Sequence, residues 1–352
     1  MTNASAKIRG ESHVAHFGPS CPRAMVSLSA STIMRHKRTR HFKTAAEGPQ
    51  STTHSFLHRT FRSRYMTPGE THTIRIGHSP DPDDAFMFHA MTTGRFDTTP
   101  YEYEHVLLDI ETLNQKALNG EFEVSAVSIH ALPDVLDRYA LMNCGASMGE
   151  GYGPRIVTKD KMSIDEVKNG TIAIPGIKTS AHLALRIMLG EMKTTVIPFD
   201  EIMDAVKSGD VDSGLIIHEG QLTWEDEGLH LVADLGEMWA DRTGGLPLPL
   251  GGNIVRRDLG EEACKIVTEH VKISIENAIS DPEEGLAFAI EWGRGINEET
   301  NEEFVQMYVN DRTIDYGPEG RESVRLFLKE GQKIGMIRSD LDVEKLEFIG
   351  EE

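Results

Sequence analysis

GLIIHEGQLTW, residues 214–224, decides how this chain is read. Gly214-Leu215-Ile216-Ile217 is a short apolar run of the kind that forms a buried strand. His218 and Glu219 follow at once, where such a strand would end. In an open α/β sheet the carboxyl ends of the strands border the ligand crevice. His218 is therefore placed where a proton-transferring group can meet a small molecule. Imidazole, with an unperturbed pKa of about 6.5, suits that work near neutral pH. The plainer reading keeps His218 structural, with Glu219 orienting its ring or facing water.

Upstream of this stretch, strand and helix patterns alternate. Thr73–Gly77 reads as a strand and His78–Asp84, HSPDPDD, as a loop. Ala85–Met91 reads as a helix that Asp83 or Asp84 could cap. Tyr101–Leu107 is a second strand, and the run after Asp109 is a helix with Ile110, Leu113, Ala117 and Leu118 on one face. Phe122–Ile129 is strand-like, Ala131–Tyr139 helical, and Pro154–Lys159 a strand leading out of this first unit. A second unit begins near Ser163. It holds a strand at Thr171–Ile174, a loop at Pro175–Lys178 and an amphipathic helix over Thr179–Met192. A strand at Thr194–Pro198, a helix at Phe199–Ser208 and the strand before His218 complete it. The alternation predicts parallel sheets.

Downstream, Gly244–Arg257 is a Gly/Pro-rich crossing that ends in a strand, and the rest is mainly helical. Helices are expected at Glu261–Ser280, Pro282–Gly293, Asn301–Val309 and Glu319–Gly335. In the last, Val324, Phe327, Leu328 and Ile334 form the expected buried side. Such late helices need a core to cover, and the first unit is short of helices. The expected layout is a discontinuous first α/β domain, 70–160 plus 253–345, with a second α/β domain, 161–252, inserted and a cleft between them.

The charge is unevenly spread. The 352 residues carry a net charge of −20, yet residues 1–68 hold 11 Lys/Arg against two acids, Glu11 and Glu47. An acidic body of this kind repels nucleic acid and anionic lipid, so neither is an expected partner. An anionic small molecule would need a local electropositive site. Residues 1–68 read as a misassigned start ahead of Met66, a disordered tail or a processed targeting peptide. The basic run Arg35–Arg40 fits a solvated tail as well as a nucleic-acid contact. No apolar run approaches the roughly 18 residues of a membrane span. Cys21, Cys144 and Cys264 are far apart and in no metal or redox spacing, which points to a reducing, cytoplasmic setting.

Three loops are expected at the cleft. In the first, Asp81, Asp83 and Asp84 could hold a divalent cation, or simply make turns and a cap. In the second, Thr179 and Ser180 begin a helix just after a strand and a glycine. Unpaired N–H groups there attract a carboxylate or phosphate, while an ordinary N-cap explains the same residues. His218-Glu219 is the third. His78, His89 and His130 also lie near predicted element ends. GxGxxG after a strand, the P-loop, GxSxG and zinc spacings are all absent, so nothing in the chain requires a cofactor.

From about Ile74 to Gly335 the chain resembles the 1,4-dihydroxy-6-naphthoate synthase family of the futalosine route to menaquinone. The resemblance rests on IRIGHSPDPDDAFMFHA, DIETLNQKALNG, VSAVSIHAL, PGIKTSAHLAL, GLIIHEGQLTW, DRTGGLPLPLGGNIVRRDLG and YVNDRTIDYGPEGRESVRLFL. It implies a two-domain fold like the type II periplasmic solute-binding proteins, with an interdomain cleft. It also implies a lyase that cleaves cyclic dehypoxanthine futalosine to 1,4-dihydroxy-6-naphthoate without metal or other cofactor. His218 then falls on the family's proton acceptor. Substrate contacts fall on Ala126, Val127, Ser128, Ser180 and Ala181, with Thr179 beside them and Asn114 as a further contact. The family's first loop usually reads SPCPNDTF, whereas here it is SPDPDDAF, so Asp81, Asp83 and Ala85 depart from it. Two alternatives share the fold: a non-catalytic solute-binding protein, and an enzyme like chorismate dehydratase, which would not need the GLIIHE histidine.

Overall fold

A computed structural model describes residues 71–292 and 297–350. The expectations for residues 1–68, including the start at Met66, the run Arg35–Arg40 and Cys21, lie outside the described residues.

Among the described residues twelve strands follow in chain order: β1 (His72–His78), β2 (Tyr101–Leu107), β3 (Val124–Ser128), β4 (Tyr139–Met142), β5 (Ser147–Gly149), β6 (Arg155–Thr158), β7 (Thr171–Ile174), β8 (Lys193–Val196), β9 (Ser213–Ile216), β10 (His230–Asp234), β11 (Leu248–Arg256) and β12 (Phe348–Ile349). They form two sheets. The seven-stranded one has the order β12-β4-β11-β3-β1-β2, with β5 paired to β11. The five-stranded one has the order β10-β6-β9-β7-β8.

The sheets are mixed, not parallel throughout. β1 runs parallel to β2 and β3, and β7 parallel to β8 and β9, where a helix follows each strand and returns the chain. β11 is antiparallel to β3, β4 and β5, and β6 is antiparallel to β9 and β10. These two strands carry the chain between the sheets. β6 enters the second sheet directly after β5, with no helix between them, whereas β11 returns to the first sheet after the helix Leu235–Thr243.

Sheet membership also departs from the expected boundaries. β6 sits inside the second sheet rather than leading out of the first, and β11 already belongs to the first sheet at Leu248. β12 carries the first sheet on to Ile349. We propose, in place of 161–252, an inserted lobe that begins near Pro154 and ends near Gly245.

Local chemistry explains the elements that reach the cleft. Asp109 caps the helix Ile110–Asn119 by accepting the Thr112 N–H at 3.0 Å, and Gly120 ends it at φ 70°. Thr179 caps Ser180–Leu189 in the same way. A Cβ on Gly214 would stand 2.5 Å from Ile202, so only glycine lets the helix Ile202–Ser208 lie flat on β9. The helix after β1 is Pro82–Thr92, and its N-cap position is Asp81 rather than Asp83 or Asp84.

The late helices cover the first sheet. Val267, Val271 and Ile275 of Glu261–Ser280 share an apolar cluster with Ile76, Val124 and Val255. Val324, Phe327 and Leu328 of Gly317–Lys333 are fully buried. Each such side chain contributes roughly 1.5–3 kcal/mol by leaving water. Ile334 is 41% exposed instead of buried, because the helix ends at Lys333 and its apolar face stops there. No helix among the described residues is long and apolar enough to cross a membrane.

Candidate active site

β9 ends at Ile216, and His218 follows in the bend before the short helix Gly220–Thr223. Among the described residues His218 is the single non-glycine with positive φ, at 58°. That conformation costs about 1–3 kcal/mol and persists only where the surroundings enforce it. The surroundings come from both lobes. The Phe199 ring meets the imidazole edge-on, with centroids 4.5 Å apart. Asp81, from the loop after β1, places Oδ2 2.7 Å from His218 Nδ1. Nε2 has no hydrogen-bond partner.

Three carboxylates crowd this end of the cleft, yet they do not amount to three full charges. Asp81 Oδ2 also accepts the Ser79 hydroxyl at 2.7 Å, and Asp84 Oδ2 accepts the Ser79 N–H at 2.7 Å. Burial, then repulsion by Asp84 and Asp81, pushes Asp83 well above the usual carboxylate range. Burial lifts Asp84 to about 7 against the two bonds from Ser79. Burial pulls His218 down most strongly, but the Asp81 carboxylate, with Glu219 and Asp83, together outweigh it and hold the imidazole up to about 9. Asp81 and His218 thus form an ion pair, and burial beside two other acids shifts Asp83 toward its protonated form. The added acids of this loop are absorbed locally.

Asp81, His218 and Glu219 are also the one set of three ligating groups among the described residues whose ligand atoms all lie within 4.8 Å of one another. The 2.7 Å contact argues against a shared ion there. Two ligands on one zinc-sized ion, bonded at about 2.0–2.1 Å with tetrahedral angles, stand about 3.3 Å apart. The observed distance is that of a direct hydrogen bond.

His218 lines a cavity of about 760 Å³, open solvent included. Ala126, Val127 and Ser128 from the end of β3 line it as well, as do Thr179, Ser180 and Ala181 from the second lobe. Its lining of apolar side chains with a few polar groups suits a small organic ligand. No Lys or Arg lines it. With the His218 charge already paired to Asp81, the N–H dipoles at the start of the helix Ser180–Leu189 are a further source of attraction for an anionic group. The two hydroxyls there are already engaged. Thr179 Oγ1 donates to Gly176 O at 2.9 Å and accepts the His182 N–H. Ser180 Oγ donates to Leu250 O at 2.6 Å. What the first turn leaves open is the pair of N–H groups of Ser180 and Ala181, not its side chains.

Asn114 does not line the cavity. It is fully buried behind Ser128, accepting that residue's N–H at 2.8 Å and donating to its hydroxyl at 3.0 Å. It also reaches Lys178 O in the other lobe at 3.4 Å. Its two bonds hold the Ser128 backbone and hydroxyl from behind. His78, His89 and His130 lie outside the cavity wall, and burial drives His78 down to about 3 and His130 to about 4.

Sequence reading missed the partner of His218, because nothing in HSPDPDD says which aspartate crosses the cleft. It also missed Asn253 and Tyr308. Asn253 lines the cavity, and its side-chain oxygen is buried without a hydrogen-bond partner. It lies in the quoted DRTGGLPLPLGGN segment, which carried the resemblance without a role attached.

A family described as menaquinone biosynthesis matches residues 74–333. A 1,4-dihydroxy-6-naphthoate synthase of Streptomyces coelicolor is 35% identical over 271 residues, covering 75% of this chain and 95% of the relative. Among solved structures, a protein of Archaeoglobus fulgidus shares 42% identity at a TM-score of 0.72, over 75% of this chain and 98% of its own. The alkanesulfonate-binding protein SsuA of Xanthomonas axonopodis pv. citri reaches a TM-score of 0.60 at 12% identity, over 78% of this chain and 97% of that one. The last likeness is one of fold alone. The architecture is that of the two-domain periplasmic-binding-protein-like proteins.

Proposed function

This chain belongs to the menaquinone-biosynthesis family, and from that premise we propose that it is a lyase converting cyclic dehypoxanthine futalosine to 1,4-dihydroxy-6-naphthoate, with His218 as proton acceptor. The observation that carries this reading is the setting of His218. It ends a strand of one lobe, lines the cavity shared by both, and keeps Nε2 uncommitted.

In this mechanism the naphthoate carboxylate sits on the N–H groups of Ser180 and Ala181. His218 removes a proton from the sugar-derived ring. The pair left on the ring carbon becomes a ring double bond as the carbon–carbon bond to the sugar fragment breaks, the fragment leaves with that bond's pair and takes the proton back from His218, and aromatisation supplies the driving force. Lobe closure keeps water from the reacting centre. The Asp81 pair keeps the imidazole charged up to about 9, so the base form grows as pH rises toward that value. Base catalysis contributes about 10²–10⁴-fold, and positioning supplies much of the remainder.

The test incubates the purified chain with cyclic dehypoxanthine futalosine and follows naphthoate absorbance. Wild-type protein should release naphthoate, while His218→Ala should lose at least about 100-fold in turnover yet stay folded and bind naphthoates. Full activity in that variant removes the base assignment. Tight binding with no turnover by the wild type supports a solute-binding role instead.

A further inference from the structure

Asp81 occupies the N-cap position of the helix Pro82–Thr92, but its side chain makes no capping bond. An aspartate there ordinarily accepts an N–H of the first turn. Here the carboxylate is turned out of the helix, 3% exposed, to the Ser79 hydroxyl and to His218 Nδ1 in the other lobe. A local rule broken at a cavity wall points to another task. The His218 ring is fixed on three sides, by its left-handed backbone, the Phe199 ring and the Asp81 carboxylate.

We propose that Asp81 is the positioning residue of the His218 base: it accepts the Nδ1 proton, fixes the ring and leaves Nε2 as the atom that takes the substrate proton. The inference rests on the function read above. In the neutral imidazole the Nδ1–H is committed to Asp81, so the lone pair lies on Nε2. The substrate's C–H electron pair stays with the ring carbon and its proton forms Nε2–H. The imidazolium so produced faces the Asp81 carboxylate, which stabilises the charge without itself becoming protonated. Asp83 and Asp84 on the first lobe and Glu219 beside the histidine also face the ring, and all act in the same electrostatic sense.

The experiment compares the full-length wild type, Asp81→Asn and His218→Ala. Imidazole nitrogen NMR follows the His218 titration and tautomer, with His218→Ala assigning the signal, and kcat and KM are measured from pH 6 to 10. In Asp81→Asn the titration should fall by more than one pH unit and the Nδ1–H tautomer preference should be lost. The plateau kcat should fall about 100-fold, as for a misplaced reacting group. Its rising limb should move to lower pH, and KM should change little. An unchanged titration, or an unchanged plateau kcat and limb, overturns the proposal. If the wild type releases no naphthoate, the lyase reading fails, while the NMR titration still decides whether Asp81 governs the His218 proton. Should Asp81→Asn not fold, Asp81→Glu keeps the charge and shifts it by one methylene. It should retain the raised titration and lose kcat, and full kcat there would equally overturn the role.

Discussion

The hydroxyl of Tyr308 lies 2.8 Å from the side-chain oxygen of Gln221 and joins the last turn of the helix Glu298–Tyr308 to the short helix after β9. Turned over, the same amide donates to Gly153 O at 2.6 Å and still meets the tyrosine. Both residues line the cavity, so the bond is a clasp between the lobes at the edge of the site.

Tyr308→Phe therefore weakens closure without touching His218 or Asp81. A hydrogen bond of this kind contributes about 0.5–1.5 kcal/mol net, which corresponds to a rise in KM of about 2–10-fold. Steady-state kinetics should show that rise with kcat nearly kept. A variant with wild-type KM would mean that the clasp plays no part in holding substrate.

Ser180 separates two ways of holding an anion. Ser180→Ala removes only the hydroxyl, with its 2.6 Å bond to Leu250 O and the 3.2 Å bond it accepts from the His130 N–H, so it should lower the melting temperature more than it changes KM. Ser180→Pro removes the backbone N–H as well. The first helical position accepts proline, and Thr179 before it is already extended at ψ 145°. Losing a hydrogen bond to a charged group should raise KM for the carboxylate substrate a further tenfold or more, about 1.5–3 kcal/mol. Equal KM values in the two variants would remove the N–H from the binding site.

Asp84 sets a pH dependence of stability. Burial raises its carboxyl from 3.8 to about 7, so the folded chain keeps a proton that the unfolded chain releases. Its favourable contribution is complete below about 3.8 and is lost as pH rises through about 7. Asp84→Asn keeps an acceptor for the Ser79 N–H and carries no charge. It should melt about 2–4 °C higher than wild type at pH 8, the shift expected of roughly 1 kcal/mol in a chain this long, with no gain at pH 4. Calorimetry at the two pH values decides it, and a variant less stable at pH 8 would contradict the burial argument. His218 works in the same direction at higher pH. Its raised value means that the stabilisation it gives, full below about 6.5, is lost as pH passes about 9.

Local order along the chain determined much of this protein. The apolar run of β9 ending at His218, the cap at Thr179, and the helix faces built on Leu113 and Phe327 follow from spacing and residue type. Short-range geometry dictates these, because a strand end or a first helical turn is complete within a few residues. Tertiary structure alone decided which loop meets which. The antiparallel entry of β11, the place of β6 in the second sheet and the burial of Asn114 behind Ser128 depend on partners far off in the chain. So does the ion pair of Asp81 with His218, since a carboxylate's charge state is set by its distance to other charges and to water, and both distances exist only once the two lobes face each other.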